Sequence, residues 1–429
     1  MHMPGAAADG AIVTPAGAAE LAWRRLEPER WPLPLDAFPS EAALVGGAVR
    51  DALLDRLATA PDLDLVVEGD AVALCKQLSR RHGGSSVVLD AERSMARLVI
   101  GGWSIDLARR DGASLEADLH RRDYTINAMA LPLADHQQLV DPLGGLGHLQ
   151  TQHLVAVAEA NLLDDPLRLL RGLRLAAQLG FALEPSTEGW IQQHHAVIAA
   201  VAGERVLAEL EKLAGAPRGE WWLARCLELG LLAPWRTSGW SQAEAHRLGL
   251  CSASNAQRLA LTGAERNTFL PLARLANSLD GRALEQLRSS RKLQKQVATL
   301  RRWQQHLEGA EPAEQAEALS EAERLQLHRD LEDCLPALVL SWPAEQAQIW
   351  LERWRNAHDR LFHPRPAIDG RSLQQELQIE ASPVLGELLR YLMQEQAFGR
   401  VHSHHEALQQ ARQWLTSADH AGGRAPRRD

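Results

Sequence analysis

The chain has 429 residues, a formal charge of −9 and 45% hydrophobic content, enough for two to four packed units with real cores. Its acidic balance excludes a generally basic nucleic-acid coat, so any RNA contact has to come from local patches. The four cysteines, Cys75, Cys226, Cys251 and Cys334, form no CxxC pair, which argues for reduced thiols in a cytoplasmic protein, without zinc, haem or a disulfide frame; no stretch approaches the ~20 apolar residues of a membrane span.

The first twenty residues are rich in Ala, Gly and Pro without a basic start, and read as a disordered leader, not a signal peptide. Glu20–Arg30 has a helical pattern that includes Trp23, ended by Pro28, Pro32, Pro34 and Pro39. Leu44–Val45 then reads as a strand end, Gly46–Gly47 as a turn, Ala48–Leu57 as a helix start, and Leu63–Val67 as a buried strand. A glycine turn opening a helix offers free backbone N–H groups and a positive dipole end, which suit a phosphate. Asp62 and Asp64 lie two apart on extended backbone, so both carboxylates face one way. Such a pair suits two divalent cations ~3.5–4 Å apart, and equally suits a solvated strand end. The preceding GGAVRD sets a phosphate cradle beside it. No GK[ST] follows the glycines, so this is not a P-loop.

Asp70–His82 reads as a helix stopped by Gly83–Gly84. Short strands follow at Ser86–Leu89, Arg97–Ile100 and Trp103–Leu107, the last two joined in a tight hairpin by Gly101–Gly102. Asp106 falls inside the apolar strand WSIDL, where a charge is either a metal ligand or paired, here with Arg109 or Arg110. Asp118–Ala130 reads as a helix or a helix-to-strand passage. It brings Arg121 and Arg122 beside Asp123 and Asn127, four apart on one helical face, fit for a ribose hydroxyl or simply for solvent. Leu139–Gly147 reads as a strand leaving through a turn.

From Asn161 onward the pattern is helical throughout. Asn161–Gly180 reads as one helix, with Asn161 or Asp164 as N-cap, Pro166 in the first turn and Gly180 past the end. Leu163, Leu167, Leu170 and Ala177 form its apolar side, interrupted by Arg174. Asp165, Arg168 and Gly172 lie opposite. An Asp–Arg pair there is either a surface salt bridge or a base reader. A carboxylate accepts from an exocyclic amino group while a guanidinium donates to a ring nitrogen. Cytosine and adenine present that pattern; uracil and guanine present the reverse. Gly172 leaves room beside the pair in this reading. Gly203–Leu213 is a further helix. Gly281–His306 carries the densest basic run, suited to a phosphate backbone or to solvent, and the closing GGRAPRRD reads as a frayed tail.

In order, LVGGAVRD with DLD, RRDYTINAMA, DPLGG, DDPLRLLRGLRLAAQLGF and GERVLAEL resemble the class II tRNA nucleotidyltransferase and poly(A) polymerase family of the polymerase-β-like superfamily. The resemblance runs from about Leu44 to Leu213, with a weaker echo in Ile368–Gly399. It implies an α+β protein: a mixed-sheet nucleotidyltransferase head followed by an all-α neck, body and tail. The expected boundaries are a leader and lead-in helix over 1–40, a catalytic head over 41–147 and a base-recognising neck over 148–215. A body over 216–345 and an RNA-binding tail over 346–429 follow. By analogy Asp62, Asp64 and Asp106 bind two Mg²⁺ ions, and Gly46, Gly47, Arg50 and Arg122 hold the triphosphate. Asp123 and Asn127 take the ribose, Asp165 and Arg168 pair with the incoming base, and Arg171, Glu204 and Arg205 support the neck.

The implied reaction is template-independent addition of C, as CC or as full CCA, from CTP and ATP to a tRNA 3′ end, with release of pyrophosphate. A poly(A) polymerase and a non-catalytic RNA-binding relative are the alternatives. The chain departs from the family at Asp164, usually glutamate, at His148, usually aspartate, and near Val155, where an arginine is usual. The larger departure is the fourteen-residue connection Leu107–His120. CCA-adding members carry a longer mobile loop there, associated with switching from C to A, so the short connection points to an enzyme that stops after two cytidines.

Overall fold

The computed structural model describes residues 14–236, 239–309, 311–364, 367–380 and 382–417. The expected leader thus lies outside the described residues only up to residue 13, and GGRAPRRD lies outside them entirely. Residues 15–20, expected as disordered leader, are helical. Thr14 caps helix α1 (Pro15–Leu26), its hydroxyl accepting from the Gly17 N–H, and Ala18, Ala19, Ala22, Trp23 and Leu26 bury one face. The chain divides into two compact units, one comprising residues up to Pro217 together with Glu228–Pro234, the other the remainder.

The first unit is built on a six-stranded mixed sheet of β1 (Ala43–Val45), β2 (Leu63–Val67), β3 (Ser85–Asp90), β4 (Met95–Ile100), β5 (Trp103–Arg109) and β6 (Ala130–Pro132), in the order β3-β4-β5-β2-β1-β6. Only β2 and β5 run parallel; the other neighbours are antiparallel. Between β2 and β5 the chain crosses over through α3 (Ala71–His82), capped by Asp70, and then the edge hairpin β3–β4. The β4–β5 turn is the expected Gly101–Gly102 pair, both at positive φ. Under the sheet Ala43, Val45, Val66, Leu119, Ala128 and Ala130 form one apolar cluster, to which α4 (Leu115–Leu119) contributes.

Three sequence readings need correction here. The expected helix 48–57 is α2 (Gly47–Leu53), shorter because the chain turns at Leu54 and takes a left-handed residue at Asp55. The strand expected in Leu139–Gly147 is a single bridge, Val140 to Ala130. Asp141 pulls the chain out of the sheet there: its two oxygens accept from the Gly145 and Leu146 N–H groups and start α5 (Gly145–Gln150). After residue 150 the chain is not wholly helical, because β7 (His153–Leu154) and β8 (Ala182–Leu183) pair in parallel.

The expected single helix Asn161–Gly180 is two. Helix α6 (Glu159–Asp164) ends at Asp165, which is extended, and α7 (Leu167–Leu179) begins after Pro166, closing on the left-handed Gly180. Asn161 and Asp164 therefore lie inside α6 instead of capping a helix, and Leu163 is exposed. The break follows from Pro166, which disfavours helical backbone at the residue before it. Helices α8 (Pro185–Gln193) and α9 (Gly203–Gly215) complete the unit. Arg174, the interruption in the apolar side of α7, pairs with buried Glu209 of α9 and donates to Gln178.

Among the described residues the second unit is all helical. Its distal helices Gly370–Leu377, Pro383–Ala397 and His404–Thr416 share a core around Leu373, Leu388, Leu392 and Ala407. The basic run lies mainly on the helix Arg291–His306, with Arg288 between that helix and Gly281–Gln286. No helix among the described residues is long and apolar enough to cross a membrane.

Candidate active site

The strand register makes the centre of the site. Val87, Arg97, Asp106, Asp64 and Val45 are successive cross-strand partners on β3, β4, β5, β2 and β1, so their side chains form one row on one face. Asp64 and Asp106 are thus neighbours. Burial pushes the Asp64 carboxyl up to about 6, and the nearby charges of Asp106 and Asp62 add to the effect while Arg122 and Arg97 oppose it. Asp62 is exposed, just before β2.

Asp106 is not paired with Arg109 or Arg110, the alternative partners that its sequence position suggested. Arg97, directly opposite on β4, donates to both of its oxygens at 2.6 and 2.8 Å. Arg110 instead reaches Glu68, 2.7 Å away. No group of three His, Cys, Asp or Glu side chains among the described residues stands ready as a cation site. The donor set nevertheless fits a hard divalent ion: carboxylate oxygens only, two of them adjacent, one held by burial in an unfavourable ionised state that a cation would relieve.

Gly46, at φ +76° and ψ −133°, adopts a backbone that side-chain-bearing residues avoid. A Cβ there would sit 3.3 Å from Asp64 Oδ2 and 3.5 Å from Arg122 Nη1, so the glycine, the carboxylate and the guanidinium share one small space. Arg122 is held by Asp118, whose Oδ2 accepts from its Nε and Nη2 at 3.2 and 3.0 Å. Asp118 itself is buried and its other oxygen accepts from the Asp111 N–H. Sequence reasoning missed Asp118. The signal was there: an i,i+4 pair with one of the RRD arginines.

Beside the row opens a cavity of about 740 Å³, lined among others by Asp64, Asp106, Arg122, Asp123, Asp165, Arg168 and Arg171. Asp62, Gly46, Gly47, Arg50, Asn127, Glu204 and Arg205 are not among its lining residues. Asp123 and Asn127 are not on a helical face, since α4 stops at Leu119 and only Thr125–Asn127 coil again, as a 3₁₀ turn. They meet anyway, Asn127 Nδ2 donating to Asp123 Oδ1 at 3.2 Å. The Asn127 side-chain oxygen Oδ1 accepts from Arg50 at 2.7 Å, and Arg50 is braced by Asp51. Asn127 thus stands behind the cavity and ties Asp123 to α2. Asp123 is 5% exposed. Burial works against its charge, but Arg171, 3.1 Å from Oδ2, and the Asn127 and Tyr124 donors hold its pKa below the usual carboxylate range. Oδ2 accepts no hydrogen bond in this arrangement.

Asp165 and Arg168 line the same cavity, though not as a helical i,i+3 pair, because Asp165 precedes α7. Asp165 Oδ1 accepts from the Leu167 N–H and Oδ2 from Arg205 Nη2 at 3.0 Å. Arg168 Nη1 donates to the Arg121 and Asn161 carbonyls at 3.1 and 2.8 Å. Asn161 in turn donates to the His120 and Arg122 carbonyls, a bracket that the sequence did not announce. Glu204 lies exposed in the first turn of α9. His148, where the family has aspartate, faces the Thr125 hydroxyl at 2.8 Å.

Gly172 does not leave room for a base. A Cβ on it would lie 2.1 Å from the Tyr124 hydroxyl, which donates to the Arg168 carbonyl at 2.8 Å. The missing side chain is filled by Tyr124, fully buried and anchoring RRDYTIN against α7. Gly172→Ala is therefore expected to destabilise the first unit by about 3 kcal/mol through overpacking. Urea unfolding at constant pH measures this, and an unchanged midpoint would contradict the contact.

Comparison with known proteins agrees with this architecture. Residues 42–155 match the family model "Poly A polymerase head domain", and residues 180–235 match "Probable RNA and SrmB- binding site of polymerase A". The chain is 36% identical over 405 residues to a CC-adding tRNA nucleotidyltransferase of Synechocystis sp., covering 89% of this chain and 95% of that one. A CC-adding enzyme of Thermus thermophilus is 32% identical, with 87% and 92% covered. An A-adding enzyme of Deinococcus radiodurans is 41% identical, but over only 46% of each chain. A solved tRNA nucleotidyltransferase, complexed with a primer tRNA and an incoming ATP analogue, superposes with a TM-score of 0.60 at 27% identity, covering 74% of this chain and 96% of that one. With its head matched by the family model and nearly the whole length of two relatives covered, the chain belongs to the class II tRNA nucleotidyltransferase and poly(A) polymerase family.

Proposed function

We propose that this tRNA nucleotidyltransferase adds two cytidines from CTP to the 3′ end of tRNA and stops there. The observation that carries the reading is the connection between β5 and α4. Only residues 110–114 separate the two elements. They are pinned: Arg110 pairs with Glu68, Arg121 with Asp111, and the Asp111 N–H donates to Asp118. A segment this short and tied has no mobile lever with which to remake the pocket for adenine. Two CC-adding relatives are covered along 92% or more of their length, which supports the same reading, while a third is covered along only 41%.

In this account Asp62, Asp64 and Asp106 hold two Mg²⁺ ions, which when bound activate the attacking hydroxyl and steady the departing pyrophosphate. Gly46, Gly47 and Arg122 receive the triphosphate, with Arg50 on α2 tying that helix to Asn127. Asp123 Oδ2, which faces Arg171 as an ion-pair partner but accepts no hydrogen bond, takes a ribose hydroxyl in this reading, and Asn127 fixes that carboxylate in place. Asp165 and Arg168 read the base edge, Arg205 and Asn161 holding them still. Arg171 and Glu204 support α7 and α9. Positioning and electrostatics then supply the rate, since the chemistry asks for no covalent intermediate.

The test is to sequence the product made from tRNA lacking CCA with CTP and ATP together. Two added cytidines and no adenosine are expected; a complete CCA end would overturn the CC reading. Extension of oligo(A) by ATP in place of tRNA would favour a poly(A) polymerase.

A further inference from the structure

The row of cross-strand partners has an order that matters to the reaction. The candidate triphosphate cradle follows β1, Asp64 stands on β2, Asp106 on β5 and Arg97 on β4, across four adjacent strands about 4.8 Å apart. In phosphoryl transfer the attacking and leaving oxygens lie roughly in line on opposite sides of phosphorus. With the leaving pyrophosphate on the β1 side, an in-line attack that runs along the row brings the acceptor strand in from the β4 side. That is where Arg97 stands. Its side chain is 44% exposed, between two arginines that line the cavity, Arg122 at 24% and Arg121 at 60%. On the same face, Val87 in cross-strand register with Arg97 and Val99 two residues along β4 expose apolar surface at 50% and 44%. Such a surface suits the sugar face of a nucleotide better than bulk water does.

Arg97 also occupies both oxygens of Asp106. Once Asp106 turns its carboxylate to a cation, Arg97 loses its partner beside a newly positive centre and needs another anion. We propose that Arg97 is the acceptor-side phosphate grip: it guards Asp106 in the metal-free protein and passes its paired N–H donors to the terminal phosphodiester of the RNA when Asp106 takes up a cation. A guanidinium fork matches two phosphate oxygens as well as two carboxylate oxygens, which makes the exchange one of partner and not of geometry. The inference rests on the tRNA-extending reading above.

Its test is binding of a tRNA that lacks CCA and ends in a 3′-deoxynucleotide, with the terminal phosphodiester either normal or a neutral methylphosphonate. Fluorescence anisotropy compares the full-length wild-type chain with Arg97→Ala, with and without Mg²⁺. With Mg²⁺ the wild type is expected to bind the methylphosphonate about tenfold more weakly, and Arg97→Ala to be weakened about tenfold already and indifferent to the modification. Without Mg²⁺ the wild type is expected to lose most of its sensitivity. Equal sensitivity in both proteins, or equal sensitivity with and without Mg²⁺, overturns the proposal. Should Arg97→Ala fail to fold by circular dichroism, Arg97→Gln, which keeps the stem and a donor for Asp106, is read by the same criteria. Wild type that extends tRNA while these comparisons fail would sink the phosphate grip alone; wild type that neither binds nor extends tRNA would sink the underlying reading.

Discussion

Asp64→Asn is expected to lower cytidine incorporation about a thousandfold, the loss of several kcal/mol of charge stabilisation, while making the metal-free protein more stable. The two effects have one cause. Burial beside Asp106 holds the folded Asp64 carboxyl near 6, against an unfolded value of 3.8. Its charge therefore opposes folding above pH 6, and the opposition fades as the pH falls towards 3.8, because the folded state takes up the proton first. The asparagine variant is then more stable at pH 7 by about 2 kcal/mol, with the margin gone near pH 4. Urea unfolding at the two pH values, with chelator present, measures this. Loss of activity with equal or lower stability at pH 7 would mean that Asp64 is not the strained carboxylate described here.

Asp165→Ala should keep some turnover yet blur the choice among nucleotides. In the proposed reading the carboxylate accepts from an exocyclic amino group, so its removal is expected to cost discrimination against UTP about a hundredfold, corresponding to one charged hydrogen bond and its unpaired partner. Arg205→Ala is the informative companion. Arg205 lines no part of the cavity, but it fixes Asp165 Oδ2. Loosening that contact should reduce discrimination about tenfold with little change in CTP incorporation at saturation. Competition among the four nucleotides at equal concentration reads both variants. Unchanged preference in Asp165→Ala would remove base reading by the protein at this position.

Much of the first unit was legible because its motifs are local. The glycine turn after β1, the Gly101–Gly102 hairpin and the helix that follows β2 each depend on a few neighbouring residues. What stayed hidden was non-local. Gly172 reads as spare space until Tyr124, 48 positions away, is found to fill it. Arg97 opposite Asp106, by contrast, is a local consequence of the two-residue Gly101–Gly102 turn, which pairs Ile100 with Trp103 and so Arg97 with Asp106. The helix break at Asp165 was legible in Pro166 but was outweighed by the leucine periodicity on either side. Asn161, read as a cap, instead uses its amide to bind carbonyls 39 and 41 residues back.

The central claim is that the β2–β5 pair of carboxylates is where cation and nucleotide meet. Crystals of the full chain soaked with Mn²⁺ and CTP, with anomalous scattering used to find the ion, test it most directly. The account predicts manganese bound by Asp64 and Asp106, with Arg97 released from Asp106 and the triphosphate at Gly46 and Arg122. Manganese and CTP seated elsewhere, with Arg97 still clasping Asp106, would contradict it.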